Sequence, residues 1–196
     1  MRILGFSFCI IASLAATASA VCAPKISTKS TKFDVSGATG AAILQDLDRR
    51  GPKHGFMTRA IAQTRYTMNS EADWKHDGTN CVVTRPLVRL DITYIYPNLA
   101  GPVPPALRAR WHGFMASVKK HEETHGRIAR DMAVAAEAAI GQMKVKDGKS
   151  CGRFHAEMKR KVASIVAEYE QRQRSFDAVE HKDGGHIQSI IKKLTN

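Results

Sequence analysis

Val88-Arg89-Leu90-Asp91-Ile92-Thr93-Tyr94-Ile95-Tyr96, closed a few residues later by Gly101-Pro102-Val103-Pro104-Pro105, is the stretch on which the fold turns. Val88, Leu90, Ile92, Tyr94 and Tyr96 alternate with Arg89, Asp91 and Thr93, the period of a strand with one buried and one wet face. The Gly-Pro cluster then divides the chain into a β-rich half before it and an α-rich half after it. Its final Pro pair suits the first turn of a helix. Trp111, Phe114, Met115, Val118, Ile128, Met132, Ala135 and Ala139 give that helix an apolar stripe and carry it to about Met143.

Upstream, Phe33-Asp34-Val35 is a short strand candidate ended by Ser36-Gly37, and residues 41–50 have helical spacing up to Gly51-Pro52. Residues 57–68 are rich enough in Thr, Tyr and Ile for a strand, and the turn at 75–78 leads into Cys81-Val82-Val83-Thr84. Downstream, residues 144–151 read as a loop turning at Asp147-Gly148. A second helix is expected from about Arg153 to Phe176, with Phe154, Met158, Val162, Ile165, Val166 and Tyr169 inward. Residues 177–185 read as a turn before a short amphipathic helix carrying Ile187, Ile190, Ile191 and Leu194. The expected class is α+β: a small antiparallel sheet packed with a long helix and a second helix.

The long helix contains His121-Glu122-Glu123-Thr124-His125, an H-E-x-x-H sequence. Residues four apart share a helix face, so the two imidazoles can address one point, where a zinc ion would take two nitrogen ligands. Glu122, about 100° round the helix, is placed to act as general base toward a metal-activated water. A solvated helix face is the ordinary reading of five such residues. Against it, His121 continues the stripe of Phe114 and Val118, and His125 that of Ile128 and Met132.

A catalytic zinc usually has three protein ligands plus water, so one ligand is still to be assigned. The longer H-E-x-x-H-x-x-G-x-x-H pattern fails, with Ile128 and Asp131 where its Gly and third His would stand. Asp131 would serve only if the helix broke after His125. Glu157 or Glu168 on the following helix, and His181 in the turn beyond it, are the other candidates.

The first twenty residues have the form of a secretory signal peptide. Arg2 is followed by an apolar core and by Ala18-Ser19-Ala20, a small-x-small cleavage pattern, so residues 1–20 are expected to be removed. Residues 21–31 read as an N-terminal tail and 32–196 as one domain, periplasmic or secreted, without a transmembrane segment in the mature chain. The formal charge of +12 suits an anionic envelope polymer as partner. Its Lys and Arg residues are scattered without interleaved aromatics, which argues against specific nucleic-acid binding. Export predicts a disulfide between Cys81 and Cys151, which lie in the folded body, whereas Cys22 sits on the tail. No C-x-x-C occurs to make a thiolate zinc site.

Phe33-Asp34-Val35-Ser36-Gly37, Gly51-Pro52, Cys81-Val82-Val83, Leu90-Asp91-Ile92-Thr93, Trp111-x-x-Phe114 and His121-Glu122-x-x-His125, in this order and spacing, resemble the bacterial DUF922 family over about residues 30–185. The resemblance implies an exported zinc-dependent protease with a zincin-like fold acting on a peptide or protein. It matches Cys151 to a cysteine that follows the zinc helix. The family's closing segment, Tyr-Asp-x-x-Thr-x-His-Gly, meets Phe176-Asp177 here, with Glu180 at its Thr and Lys182 at its His. On that basis His181 is the expected third ligand and Asp177 the group orienting it, with Glu180 and His186 as substitutes. The resulting expectation is an exported zinc peptidase. A non-catalytic exported protein that binds a metal or the envelope is the alternative.

Overall fold

A computed structural model describes residues 23–54 and 58–196. Residues 1–20, read as a signal peptide, and Cys22 lie outside the described residues. The elements run β1 (Lys25–Val35), α1 (Gly40–Arg50), β2 (Lys53–His54), β3 (Thr58–Arg59), β4 (Gln63–His76), β5 (Asn80–Leu99), α2 (Pro105–Gly141), β6 (Lys144–Lys146), α3 (Gly152–His181) and α4 (His186–Thr195).

The class is α+β, but the sheet is mixed. β5 is its spine: β4 pairs antiparallel along one edge, while β1 and β6 share the other, β1 running parallel to β5 and β6 antiparallel. The antiparallel expectation fails on β1, whose residues Lys25 to Val35 pair in register with Arg89 to Leu99. Most of the expected tail is therefore strand. Its Lys, Ser and Thr residues are exposed on both faces, so no apolar alternation marks it, and lysines on an edge strand discourage further pairing.

β5 also joins the two strands expected at 81–84 and 88–96 across Pro86. Proline lacks the N–H a ladder needs, and it falls where β6 has stopped at Val82 and β1 has not yet begun at Arg89. A helix side chain covers this gap: Glu137 Oε2 of α2 accepts the Val88 N–H at 3.2 Å. The alternation itself holds, with Val88, Leu90, Ile92, Tyr94 and Tyr96 buried and Arg89 and Asp91 exposed.

α2 starts at the Pro pair and is the central beam, about 55 Å long at 1.5 Å per residue. It packs on β4 and β5 with one side and on α3 and α4 with the other. Trp111, Phe114, Met115, Val118 and Met132 are buried as expected, but Ala129, Ala133 and Ala136 replace Ala135 and Ala139 as the buried alanines. A helix packed on two sides has a stripe too broad for a single-face count. Residues 144–146 form β6 in place of the expected loop, beside the Cys81–Cys151 disulfide, which is present. Closing a loop of this length contributes about 4 kcal/mol in the chain-entropy view.

α3 runs on to His181, well past the expected end at Phe176. Asp177, Glu180 and His181 are thus helical residues on the last turns, antiparallel to α2 and opposite its histidines. α4 then folds back, burying Ile187, Ile190 and Leu194. Among the described residues no helix is long and apolar enough to cross a membrane.

Candidate metal centre

His121 and His125 stand one turn apart on α2, in its middle, where the helix is clamped between sheet and α3. His121 is 9% exposed. Its Nε2 lies 3.2 Å from His125 Nε2 and 3.4 Å from Asp177 Oδ1, and His125 Nε2 lies 2.9 Å from the same oxygen. Donors arranged tetrahedrally around zinc at about 2.0–2.1 Å are separated by about 3.3–3.4 Å. The three atoms therefore stand near three corners of such a tetrahedron, with the His125–Asp177 edge somewhat short. Two imidazoles and a carboxylate are also a donor set that zinc accepts, so the residues present fit a metal ion.

His181, one turn beyond Asp177, brings a further donor: ligand atoms of His121, Asp177 and His181 all lie within 4.8 Å of one another. Phe176 stacks on the His121 ring at 4.9 Å between centroids and meets His125 edge-on, fixing both rings from the α3 side. Burial raises the Asp177 carboxyl, but hydrogen bonds to His121 and His125 outweigh it and hold the group well below the usual carboxylate range. Burial pushes the His125 imidazole down. Its bonds to Asp177 and Gln173, with the charges of Asp177 and Glu122, reverse this and leave it above its ordinary value.

Glu122 is 6% exposed and faces the sheet. Thr64 Oγ1, at the start of β4, lies 2.7 Å from its Oε2 and 3.0 Å from its backbone carbonyl, and the single hydroxyl proton favours the nearer carboxylate. The carboxylate, both histidines, Asp177 and His181 open on one cleft of about 600 Å³, walled by the start of β4 and by Ile187 and Ile191 of α4. Gly51, which ends α1, helps set that wall: a Cβ there would fall 2.2 Å from the carbonyl oxygen of Ala60, just before β4.

Asp177, expected to orient a ligand, itself touches both histidines. Glu180 has its Oε2 3.6 Å from His121 Nδ1, on the ring edge away from the donor cluster. His186, at the start of α4, borders a separate cavity of about 140 Å³ behind His121. Asp131 is exposed on α2, because the helix does not break after His125. Glu157 pairs with Arg153, about 30 Å along α3 from Asp177. Glu168 pairs with Arg172 on the exposed side of α3. None of these last three joins the cluster.

Residues 30–185 match the family model described as "Bacterial protein of unknown function (DUF922)". The chain belongs to the DUF922 family. No curated protein and no solved structure matches it. In this DUF922 member, three contributors to the site went unread in the sequence. Gln173 contacts His125, Thr64 contacts Glu122, and Tyr94 packs its hydroxyl against the helix at Gly126. Only Gln173 had a readable signal, since it precedes Asp177 by one helical turn and shares its face.

Proposed function

We propose that this chain is an exported metal-dependent hydrolase of peptide bonds. His121, His125 and Asp177 hold a zinc-type ion and Glu122 is the general base. The observation that carries the reading is the triad of donor atoms 2.9–3.4 Å apart with a buried carboxylate one residue from the first of them. When bound, such an ion supplies Lewis-acid polarisation of a carbonyl and acidifies a water. Glu122, steadied by Thr64, takes a proton in the cleft and returns it to the leaving amine. Asp177 keeps a negative charge beside the two imidazoles and offsets part of a divalent charge.

The signal-like sequence of residues 1–20 and the Cys81–Cys151 bond support an oxidising compartment. The peptide bond as target rests on the H-E-x-x-H sequence, whose Glu is the base of metallopeptidases. Glu122→Gln is the test. Turnover of a mixed peptide library by the zinc-loaded protein falls at least about a hundredfold, as for loss of a general base, while zinc content is unchanged. Equal turnover in the variant would refute the role of Glu122.

A second reading draws on His181. Four protein donors would close the coordination shell, as in structural sites, and leave a metal-binding protein without hydrolysis. His181→Ala separates the two: retained zinc affinity favours the open three-ligand site, and a large loss favours the closed one.

A further inference from the structure

Gln173 of α3 reaches across to α2 with both ends of its amide. Its Nε2 donates to the backbone carbonyl of His125 at 3.0 Å, and its Oε1 meets His125 Nδ1. A carbonyl oxygen can only accept, so the end facing it must be the amide NH₂. The oxygen end is thereby assigned to the imidazole, and an amide oxygen can only accept, so Nδ1 carries a hydrogen. That leaves Nε2, the atom beside Asp177 and His121, as the nitrogen that gives up its hydrogen and offers a lone pair when a metal takes the place of the Asp177 hydrogen bond.

We infer that Gln173 is a positioning residue that locks His125 in the Nδ1–H form and aims Nε2 at the metal. This rests on the ligand reading above. It explains why an amide, buried to 9% exposure on a helix whose other buried residues are Phe154 and Tyr169, sits opposite this histidine. A carboxylate at the same place would lose the donor that fixes the orientation. An apolar residue would leave Nδ1 buried without an acceptor. The spacing adds a second function to α3: Gln173 and Asp177, one turn apart, grip the two ring nitrogens of a single imidazole from one helix face.

The test compares zinc affinity, by chelator competition, and the visible spectrum of the cobalt-substituted form, in the disulfide-intact wild type, Gln173→Met and Gln173→Glu. Gln173→Met keeps the length and packing but makes no hydrogen bond. It weakens zinc binding about 10–100-fold and changes the cobalt bands. Gln173→Glu restores an acceptor at Nδ1 and recovers most of that loss. Gln173→Asn, which withdraws the amide by one methylene, replaces Gln173→Met in the comparison if the latter does not fold. Wild-type zinc affinity and cobalt spectrum in Gln173→Met would overturn the inference. So would equal weakening in the Met and Glu variants, which would make the residue a packing element alone. A wild type that binds neither metal is a different failure, removing the ligand reading on which the inference stands.

Discussion

Gly126→Ala tests the packing that holds the histidine helix against the sheet. A Cβ at this position would lie 1.9 Å from Tyr94 Oη, 2.8 Å from Cζ and 3.2 Å from Cε1. The Tyr94 ring cannot swing away easily, because it is 8% exposed and stacked on Tyr96 at 5.8 Å and 14°. Overpacking costs about 1–3 kcal/mol, and contacts this short against a held ring take the upper part of that range, about 2–3 kcal/mol, against about 1 kcal/mol gained when Ala replaces Gly inside a helix. The net loss is about 1–2 kcal/mol, a fall of roughly 2–8 °C in Tm for a domain of this size. Thermal and urea unfolding of Gly126→Ala, Tyr94→Phe and the double variant measure it. Removing the hydroxyl takes away the closest atom, so the double variant is less destabilised than the two single losses together, with a coupling above about 0.5 kcal/mol. A Gly126→Ala protein as stable as wild type, or strict additivity in the cycle, would refute the close approach.

Replacing both Cys81 and Cys151 by Ser lowers unfolding stability by about 4 kcal/mol, measured by urea titration against the oxidised parent. Burial raises the Glu137 carboxyl even though it accepts the Val88 N–H. The folded state therefore holds its proton longer than the unfolded one, and stability falls as pH rises from the ordinary carboxylate range through the raised value. Glu137→Gln flattens that segment of the stability–pH curve. In the metal-free protein the raised His125 contributes stability in full below its unfolded value near 6.5 and loses it as pH rises through the folded value. The lowered Asp177 contributes above its unfolded value near 3.8 and loses that contribution as pH falls through its folded value. Zinc must displace the His125 proton, so its apparent affinity rises with pH across the His125 window, and isothermal titration in buffers of different ionisation enthalpy reads the released proton.

The parts of the fold that carry periodicity were legible in the sequence. The alternation from Val88 to Tyr96 marks the spine strand, and the Pro104-Pro105 pair marks the start of α2. His121, Glu122 and His125 are local to one helical turn, so their convergence follows from helix geometry alone. What pairs over long range was not legible. β1 is an exposed edge strand with no apolar alternation, and its parallel register with β5 leaves no local trace. The gap at Pro86 reads as a strand break until Glu137 is seen to fill it. The end of α3 was misplaced because Asp177 and Glu180 resemble turn residues, although Gly184-Gly185 is the nearer stop signal. The helical continuation changes the place of Asp177. Once α3 continues, Asp177 and His181 fall one turn apart and face α2, and Asp177 moves from supporting a ligand to standing among them.

The most direct test of the account is the zinc stoichiometry of the purified chain after dialysis against micromolar zinc at neutral pH, in the wild type and in Asp177→Ala. One zinc is expected per wild-type chain and little or none in the variant, with both proteins folded and their disulfide intact. A wild type that retains no zinc would contradict the metal centre itself. An Asp177→Ala variant that retains it fully would contradict the place given to Asp177.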